Sequence, residues 1–191
     1  MVGRGLLGDA KKTQLCETAQ ERFDVFCMMP IVPMGQLYGG KLCAALDRQH
    51  PRDLFDVKLM FENEGFTDEI KRGFLFGLVS SNRPTHEILN PHLLNQHTAF
   101  ENQFEGMSAI AFSYDDYEAT RLQLIETVKA SLDENDKAFL LSLNRLAPDW
   151  SIYDYQDFPS VKWKLLNLDK FKRNNSDIYQ QQLTELEAIL K

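Results

Sequence analysis

The sequence predicts an α+β fold that is mostly α, in which a short sheet remnant precedes a helical domain of about seven helices. The first observation behind this class is a β-branched and aromatic run before residue 34 that proline closes. The second is that apolar residues recur at helical spacing in most later segments. The third is that 43% of the 191 residues are hydrophobic, which allows a sizeable core. We expect two parts, residues 1–62 and residues 63–191.

The strand region comes first along the chain. We expect residues 1–12 to form a loop, Thr13 to Glu17 a short strand and Phe23 to Pro33 a second strand. The prolines of the second strand confine it to an edge or an end of a sheet. Because two strands of this size are not stable alone, we expect them to lie against a sheet or a set of helices.

The helices follow the strands. The first is predicted over Met34 to Arg48, and it contains the adjacent glycines Gly39 and Gly40. A glycine inside a helix costs about 1 kcal/mol relative to alanine, so this pair indicates close backbone packing or a backbone that approaches something. Pro51 suits the first position of the second helix, which continues to about Glu62. The remaining prediction is a helix over 66–81, loops and short helical turns over 83–106, and helices over about 114–132, 135–146, 158–171 and 176–190.

Charge and hydropathy narrow the class of protein. The formal net charge is −7 at pH 7, which argues against an extended nucleic-acid-coating surface but leaves a local basic pocket open. No stretch approaches the length of a membrane span, and the N-terminus lacks the apolar region of a signal peptide. We therefore expect a cytoplasmic protein without membrane contact.

Cysteines and histidines carry little chemistry in this sequence. The cysteine count is odd and no CxxC occurs, so we interpret all three as reduced core thiols: Cys16, Cys27 and Cys43. A nucleophilic Cys43 assisted by His50 has no supporting signature. Three histidines lie in a polar segment at spacings that do not match a structural zinc site, which indicates surface positions: His86, His92 and His97.

The C-terminal part is locally basic. Its cations usually mark a solvated face, and the alternative is a docking face for RNA or an acidic partner: Lys162, Lys164, Lys170, Lys172 and Arg173. Its aromatic residues lie at helical spacing near leucines, which is typical of core, with base stacking as the alternative: Phe158, Trp163 and Phe171.

Charged residues also lie at helix positions where the apolar periodicity predicts core side chains. Lys41 has mostly apolar neighbours on its helix face, so it either extends to the edge of the core or binds an anion in a partly enclosed site. Asp56 lies on a helix that is apolar in almost every direction, and a buried carboxylate must be paired or coordinate a cation. One interpretation is an Arg52–Asp56 ion pair, with Asp53 stabilising the helix N-terminus.

The spacing of these charges offers a second interpretation. Lys41 and Asp56 are 15 positions apart across a short break near Gln49 and His50, so two tightly joined helices bring them toward one cleft. Cations and carboxylates in one cleft suit a nucleotide, because the cations hold phosphate and a carboxylate supports a metal or accepts a proton.

At these residues the sequence resembles a known family. The run GKLCAALDRQHPRDLFDV is similar to a segment of the AbiEii-like nucleotidyltransferases, the toxins of type IV toxin–antitoxin pairs. The matching residues are Lys41, Arg48, Pro51, Arg52, Asp53 and Asp56. The later run FPSVKWKLLNLDKF also resembles a C-terminal segment of one branch of that family.

The resemblance implies a polymerase-β-like enzyme that transfers a nucleotidyl group from an NTP to an acceptor, such as tRNA, with Mg²⁺. Residues 1–62 are then the remnant of the nucleotidyltransferase core. Lys41 contacts the triphosphate and Asp56 is a catalytic carboxylate that activates the acceptor hydroxyl. Arg48, Arg52 and Asp53 are supporting, substrate-binding residues.

The sequence departs from the family pattern in one respect. The family's upstream Gly-Ser and Asp-x-Asp motif, whose aspartates hold the metal ions, is missing, because Gly3 and Gly5 are followed only by Gly8-Asp9-Ala10-Lys11. We therefore expect a fragment of a longer protein or a degenerate paralogue, with the abrupt start favouring the fragment, and no nucleotide transfer by this chain alone.

A different class of function stays open. In it, the chain is a non-catalytic helical module that binds a protein partner such as a cognate antitoxin, and the charged cluster is an ion pair. Apolar strand edges from Phe23 to Pro33 also predict self-association.

Overall fold

Two strands and ten helices follow one another along residues 3 and 5–191, which are the residues that this computed structural model describes. Their bounds are β1 Lys11–Gln14, α1 Glu17–Phe23, β2 Met28–Ile31, α2 Met34–Arg48, α3 Pro51–Asn63, α4 Asp68–Val79, α5 Thr85–Leu89, α6 His97–Gln103, α7 Tyr114–Ser131, α8 Glu134–Asn144, α9 Pro159–Asn174 and α10 Ser176–Ile189. The mostly α, α+β class is confirmed. The additional helices are the short ones, α1, α5 and α6, of which the last two lie where short helical turns are predicted.

The strands form one antiparallel hairpin, in which Lys11 pairs with Ile31 and Gln14 with Met28. The first strand lies two residues earlier than predicted, and the segment between the strands contains α1. The predicted loop at residues 1–12 falls partly on residues 1, 2 and 4, which lie outside the described residues. Every residue from 21 to 30 is exposed, so the expectation that the strands lie against other elements is wrong for most of the hairpin.

The exposed hairpin also corrects the prediction for the cysteines. Cys16 and Cys27 lie in the hairpin segment and are exposed, whereas Cys43 on α2 is buried and its Sγ donates to the Phe74 carbonyl at 3.6 Å. The core-thiol prediction is therefore right for Cys43 and wrong for the other two. The reason is that the apolar residues beside them do not enter the core.

The core begins where α2 crosses α4 at glycines. Gly39 packs against the backbone of Gly73, and a Cβ added at either position would overlap backbone atoms of the facing helix. The close packing predicted for the Gly39 region is confirmed. Around this crossing lie fully buried side chains of both helices, among them Leu42, Leu46, Phe74, Leu75 and Leu78. Because α2 belongs to the first predicted part and α4 to the second, their crossing joins the two; the division at residue 62 stays a prediction.

The C-terminal helices pack through aromatic side chains. Phe76 of α4 makes edge contacts with Tyr155 and Phe158, and Phe139 of α8 contacts Tyr155. The core prediction is wrong for Trp163, which is 47% exposed on α9. The solvated-face prediction is wrong for Lys164, which is buried. The two are adjacent in sequence, so periodicity alone did not place the apolar side of α9 correctly.

A buried ionic cluster fixes α8 to α4. Asp136 is fully buried at the third position of α8, where it accepts from the Asp133 backbone N–H at 2.9 Å, completing a capping box. It also accepts from Tyr153 Oη and pairs with Lys71 Nζ, both at 2.5 Å. Burial lowers the pKa of Lys71, but the hydrogen bonds that its ammonium donates to Asp136 and Asp133 outweigh this and raise the pKa. The hydrogen bond from Lys71 lowers the pKa of Asp133 to about 2.

Candidate functional site

The candidate site is built on the two-residue link between α2 and α3. The helix α2 ends at Arg48, Gln49 adopts a left-handed conformation with φ 51°, and α3 begins at Pro51. The His50 Nδ1 accepts from the Arg52 backbone N–H at 3.2 Å, which caps α3. This reversal turns α3 back beside α2, so residues far apart in sequence become neighbours.

Lys41 and Asp56 meet across the two helices. The Nζ of Lys41 on α2 donates to the Oδ2 of Asp56 on α3. Both side chains are 41% exposed, so the pair lies at the edge of the helix packing and not inside the core. The sequence expectation of a largely enclosed Asp56 is therefore wrong, whereas the expectation that a cation accompanies it agrees with this geometry. A partly exposed ammonium is able to leave its carboxylate for a stronger anion.

A second ion pair lies beside the link. Arg48 Nη2 donates to Asp53 Oδ1 at 2.9 Å, with Asp53 mostly covered and Arg48 mostly exposed. The other carboxylate oxygen of Asp53 is buried and has no hydrogen-bond partner within the described chain. Asp53 also lies in the first turn of α3, where a carboxylate interacts favourably with the helix dipole.

Arg52 corrects one interpretation of the sequence. Its Nε donates to the Gln103 carbonyl at 3.2 Å, and among the described residues it makes no ion pair with Asp56. The predicted Arg52–Asp56 pair is wrong because Lys41 of the neighbouring helix occupies the carboxylate. Arg52 is exposed, so its guanidinium keeps donors that face solvent.

Three residues that position the link were not predicted from the sequence: Gln49, Tyr117 and Arg121. Gln49 is 2% exposed, and its side chain donates to the His92 carbonyl at 2.7 Å and accepts from the Leu94 N–H at 3.0 Å. Arg121 on α7 donates to the same Gln49 oxygen at 3.2 Å, and Tyr117 Oη donates to the Gln49 carbonyl at 2.8 Å. The α2–α3 link is therefore held from beneath by α7.

The sequence holds one weak indication that α7 contacts the α2–α3 link. Arg121 lies four residues after Tyr117 on the buried side of an amphipathic helix, where an arginine needs acceptors. Burial raises the pKa of Tyr117 to about 12, so its hydroxyl stays protonated and able to donate near neutral pH. Nothing local in the sequence identifies Gln49 as their acceptor, because it lies 68 positions before Tyr117.

The described residues do not fit a magnesium site. Across residues 3 and 5–191, no group of three or more histidine, cysteine, aspartate or glutamate side chains is arranged to hold a metal ion. Asp116, which follows Asp115, is the third residue of α7 and belongs to its capping box: hydrogen bonds from Ser113 lower the pKa of Asp116. We therefore derive no catalytic step through a metal from these residues.

The comparisons with known proteins agree with the resemblance. A family model described as the nucleotidyl transferase AbiEii toxin of the type IV toxin–antitoxin system matches residues 1–167. No curated protein and no solved structure matches the chain. The match includes α2, α3 and all the candidate site residues, and it ends within α9.

Within the described part of the chain, no helix is long and apolar enough to cross a membrane.

Proposed function

Because the chain belongs to the AbiEii family of nucleotidyl transferase toxins, we propose that Lys41 and Asp56 form part of a nucleotidyl-transfer site. The observation that carries the proposal is their ion pair across α2 and α3 at a partly exposed position. Lys41 holds the triphosphate of the NTP, and Asp56 is the catalytic carboxylate. Arg48, Arg52 and Asp53 are the supporting, substrate-binding residues.

The proposed chemistry uses both members of the pair. When the triphosphate binds, the Lys41 ammonium moves from Asp56 to the phosphate oxygens, where its charge offsets theirs. The freed Asp56 carboxylate accepts the proton of the acceptor hydroxyl as that oxygen attacks the α-phosphorus. The new oxygen–phosphorus bond forms while the bond to pyrophosphate breaks. Lys41 and Asp56 thus exchange partners during one turnover.

The family also supports finer proposals about substrates and partners. Its description supports a toxin nucleotidyltransferase role and implies an antitoxin partner. We propose that the acceptor is tRNA and that the reaction uses Mg²⁺. The sequence has no Asp-x-Asp motif, and no group of acidic, histidine or cysteine side chains among the described residues is arranged to hold that metal. We accordingly expect no transfer of α-labelled NTP to tRNA by this chain alone with Mg²⁺, and label on the tRNA would refute this expectation.

The decisive experiment measures NTP binding to two variants that break the same ion pair. Lys41→Ala removes a charge-assisted contact to phosphate, which we expect to weaken ATP or CTP binding by about 10- to 100-fold. Asp56→Asn removes the competing anion, so we expect binding to be unchanged or tighter. Calorimetric titration of purified protein gives both affinities. Opposite effects distinguish a substrate site from a purely structural ion pair.

The matched control is Lys58→Ala. Lys58 lies on α3, pairs with Glu62 one turn away and is not a candidate site residue. We expect this variant to bind nucleotide like the unmodified protein. The site proposal fails if the unmodified chain binds no NTP, if Asp56→Asn weakens binding as much as Lys41→Ala, or if Lys58→Ala has the same effect as Lys41→Ala. Exposed pairs contribute about 0–1 kcal/mol, so all three variants are expected to stay folded.

The hairpin favours a second function, binding to another protein. Phe23 and Phe26 are 69% and 67% exposed, and Met28 and Met29 are more than half exposed. Contiguous exposed apolar side chains mark interaction sites. We propose that two copies of this chain associate through this surface; an antitoxin bound to it is the alternative partner.

The hairpin's hydrogen bonds indicate which edge is used. The Leu15 N–H donates to the Cys27 carbonyl at 2.9 Å, so in this antiparallel register the backbone groups of Met28 and Pro30 point away from β1. Pro30 has no N–H, which blunts the free edge of β2. The edge of β1 at Lys12 and Gln14 is therefore the one able to accept a strand.

Sedimentation measurements on two variants test self-association. Lys12→Pro removes an outward N–H and Phe26→Asp places a charge in the apolar surface, so both are expected to shift a dimer to monomer. A monomeric unmodified chain at all concentrations would exclude self-association. Binding of purified antitoxin that Phe26→Asp abolishes would then assign the surface to the antitoxin.

A further inference from the structure

A cavity of about 300 Å³ lies between α5, α9 and α10, and the function proposed above does not use it. Its volume is at the small end of the range for ligand pockets, about 300–1,000 Å³, which favours a ligand of one or two rings. The lining residues that lie beyond residue 167 come from the segment that the family model does not match. The last two turns of α9 and the helix α10 thus form one side of the pocket.

The cavity has an apolar wall suited to a flat ligand. Leucines of α9 and α10 and a phenylalanine ring supply this wall: Leu168, Leu183, Leu186 and Phe171. Phe171 is partly exposed, so its ring offers a surface on which a planar molecule can stack. An apolar wall with a few polar groups is the usual composition of small-molecule sites.

Four of the polar residues that line the cavity carry side-chain amides, and three of these amides make no hydrogen bond within the described residues. Asn82, Asn167 and Gln182 line the cavity, Asn82 and Asn167 as exposed residues and Gln182 as a half-buried one, and their side-chain amides make no hydrogen bond within the described residues. A fourth, Asn144, is already engaged with Thr85 and the Leu140 carbonyl. A free amide offers both donors and an acceptor, so it pairs with a ligand edge that carries both.

The cations of the cavity, in contrast, are committed to protein groups. Lys164 Nζ donates to the carbonyls of Leu78, Ser81 and Arg83 at 3.1, 2.9 and 3.2 Å, which uses all three of its protons. Arg83 pairs with two carboxylates, and His86 Nε2 lies 3.1 Å from a Glu185 oxygen. A phosphate or carboxylate ligand would therefore have to displace existing partners.

From these observations we propose that the cavity binds a neutral planar heterocycle with donors and acceptors along its edge, a nucleobase or nucleoside. The ring stacks on Phe171 and the leucines, and the amides of Asn82, Asn167 and Gln182 contact its edge. Stacking on an aromatic side chain, combined with hydrogen bonds to the base edge, is how proteins recognise unpaired bases. The inference does not rest on the nucleotidyl-transfer site, because none of the pocket residues is a candidate site residue.

The test uses adenosine as the probe, with uridine as a second base, in NMR titrations of the labelled full chain. We expect saturable shifts of resonances from α9 and α10. Gln182→Leu removes an edge contact and is expected to weaken binding about 2- to 10-fold. Leu183→Trp fills the cavity and is expected to abolish binding, with circular dichroism showing that the variant is folded.

Gln181→Leu is the matched control, because Gln181 is the preceding residue on α10 and its amide is engaged with Glu185 at 2.8 Å outside the cavity. It is expected to leave adenosine affinity unchanged. The proposal is overturned if neither nucleoside binds, if Gln181→Leu and Gln182→Leu have equal effects, or if inorganic phosphate displaces adenosine. A folded Leu183→Trp that binds normally would also overturn it.

Discussion

Replacing Gly39 with alanine should destabilise the protein although alanine is the better helix former. In the middle of α2 the substitution gains about 1 kcal/mol of helix propensity. The new Cβ, however, would overlap the carbonyl carbon of Gly73 and the nitrogen of Phe74. These are backbone atoms of α4, so no side-chain rotation relieves the overlap and the helices must separate.

The magnitude follows from the two opposing effects. Overpacking costs about 1–3 kcal/mol, and the rigid backbone contact places Gly39 at the upper end or beyond. Subtracting the propensity gain leaves a net loss of about 2 kcal/mol in the free energy of unfolding. With a urea m value of about 2 kcal/mol/M, the unfolding midpoint falls by about 1 M. Urea titration followed by circular dichroism measures this shift.

Gly77→Ala serves as the matched comparison within the same helix crossing. Its Cβ would first meet the Cys43 Sγ at 2.8 Å and would lie 3.4 Å from the Gly39 carbonyl oxygen. The end of a side chain is able to move, so we expect a smaller effect than at Gly39. If Gly39→Ala raises the midpoint, or lowers it less than Gly77→Ala does, the close-packing explanation is refuted.

Three further predictions concern charged groups in the core and at helix ends. Burial lowers the pKa of Lys164 in the folded protein to about 8, below its unfolded value of 10.5. Between pH 8 and 10.5 the unfolded chain therefore binds more protons than the folded chain, so the free energy of unfolding should rise with pH. Urea titrations should show this slope in the unmodified protein and not in Lys164→Met. The pKa of Asp133 is lowered to about 2 in the folded protein, against 3.8 in the unfolded chain. The ionised Asp133 carboxylate therefore stabilises the fold above pH 3.8, and this contribution is lost as the pH falls toward 2. The stability of Asp133→Asn should depend less on pH over that range, and equal acid sensitivity would contradict the prediction. Asp136→Ala leaves Lys71 and Tyr153 without their buried acceptor, so the free energy of unfolding should fall by about 3–5 kcal/mol, measured by thermal or urea unfolding. Asp133→Ala, which removes the N-cap residue of α8, should lower it by about 1 kcal/mol. Similar losses in the two variants would mean that burial of Asp136 contributes little.

Local patterns accounted for much of the fold. The long helices were predictable because their apolar periodicity, capping residues and prolines act within about four residues of each other. Thr67 caps α4 by accepting from the Ile70 N–H, and Pro51 is the first residue of α3, as predicted. The α1 segment was not predictable, because it buries none of its residues and so carries no apolar stripe.

The candidate site was predictable in part. The unusual positions of Lys41 and Asp56 are visible in the sequence, and their spacing across a short break indicated that they approach one another. The choice of partner was not, because Arg52 is the nearer cation along the chain. Only the crossing of α2 with α3 places the Lys41 ammonium on that carboxylate.

The sequence by itself determined the family, the mostly α class and the charged residues of the candidate site, because motif and periodicity are local properties of the chain. The tertiary structure decided which side chains are buried and which meet, as the opposite exposures of Trp163 and Lys164 show. Periodicity gives the direction of a side chain about its own helix, but its surroundings depend on how helices cross. In this protein the Gly39–Gly73 contact sets the α2–α4 crossing, and the buried Gln49 link sets how α3 turns back on α2.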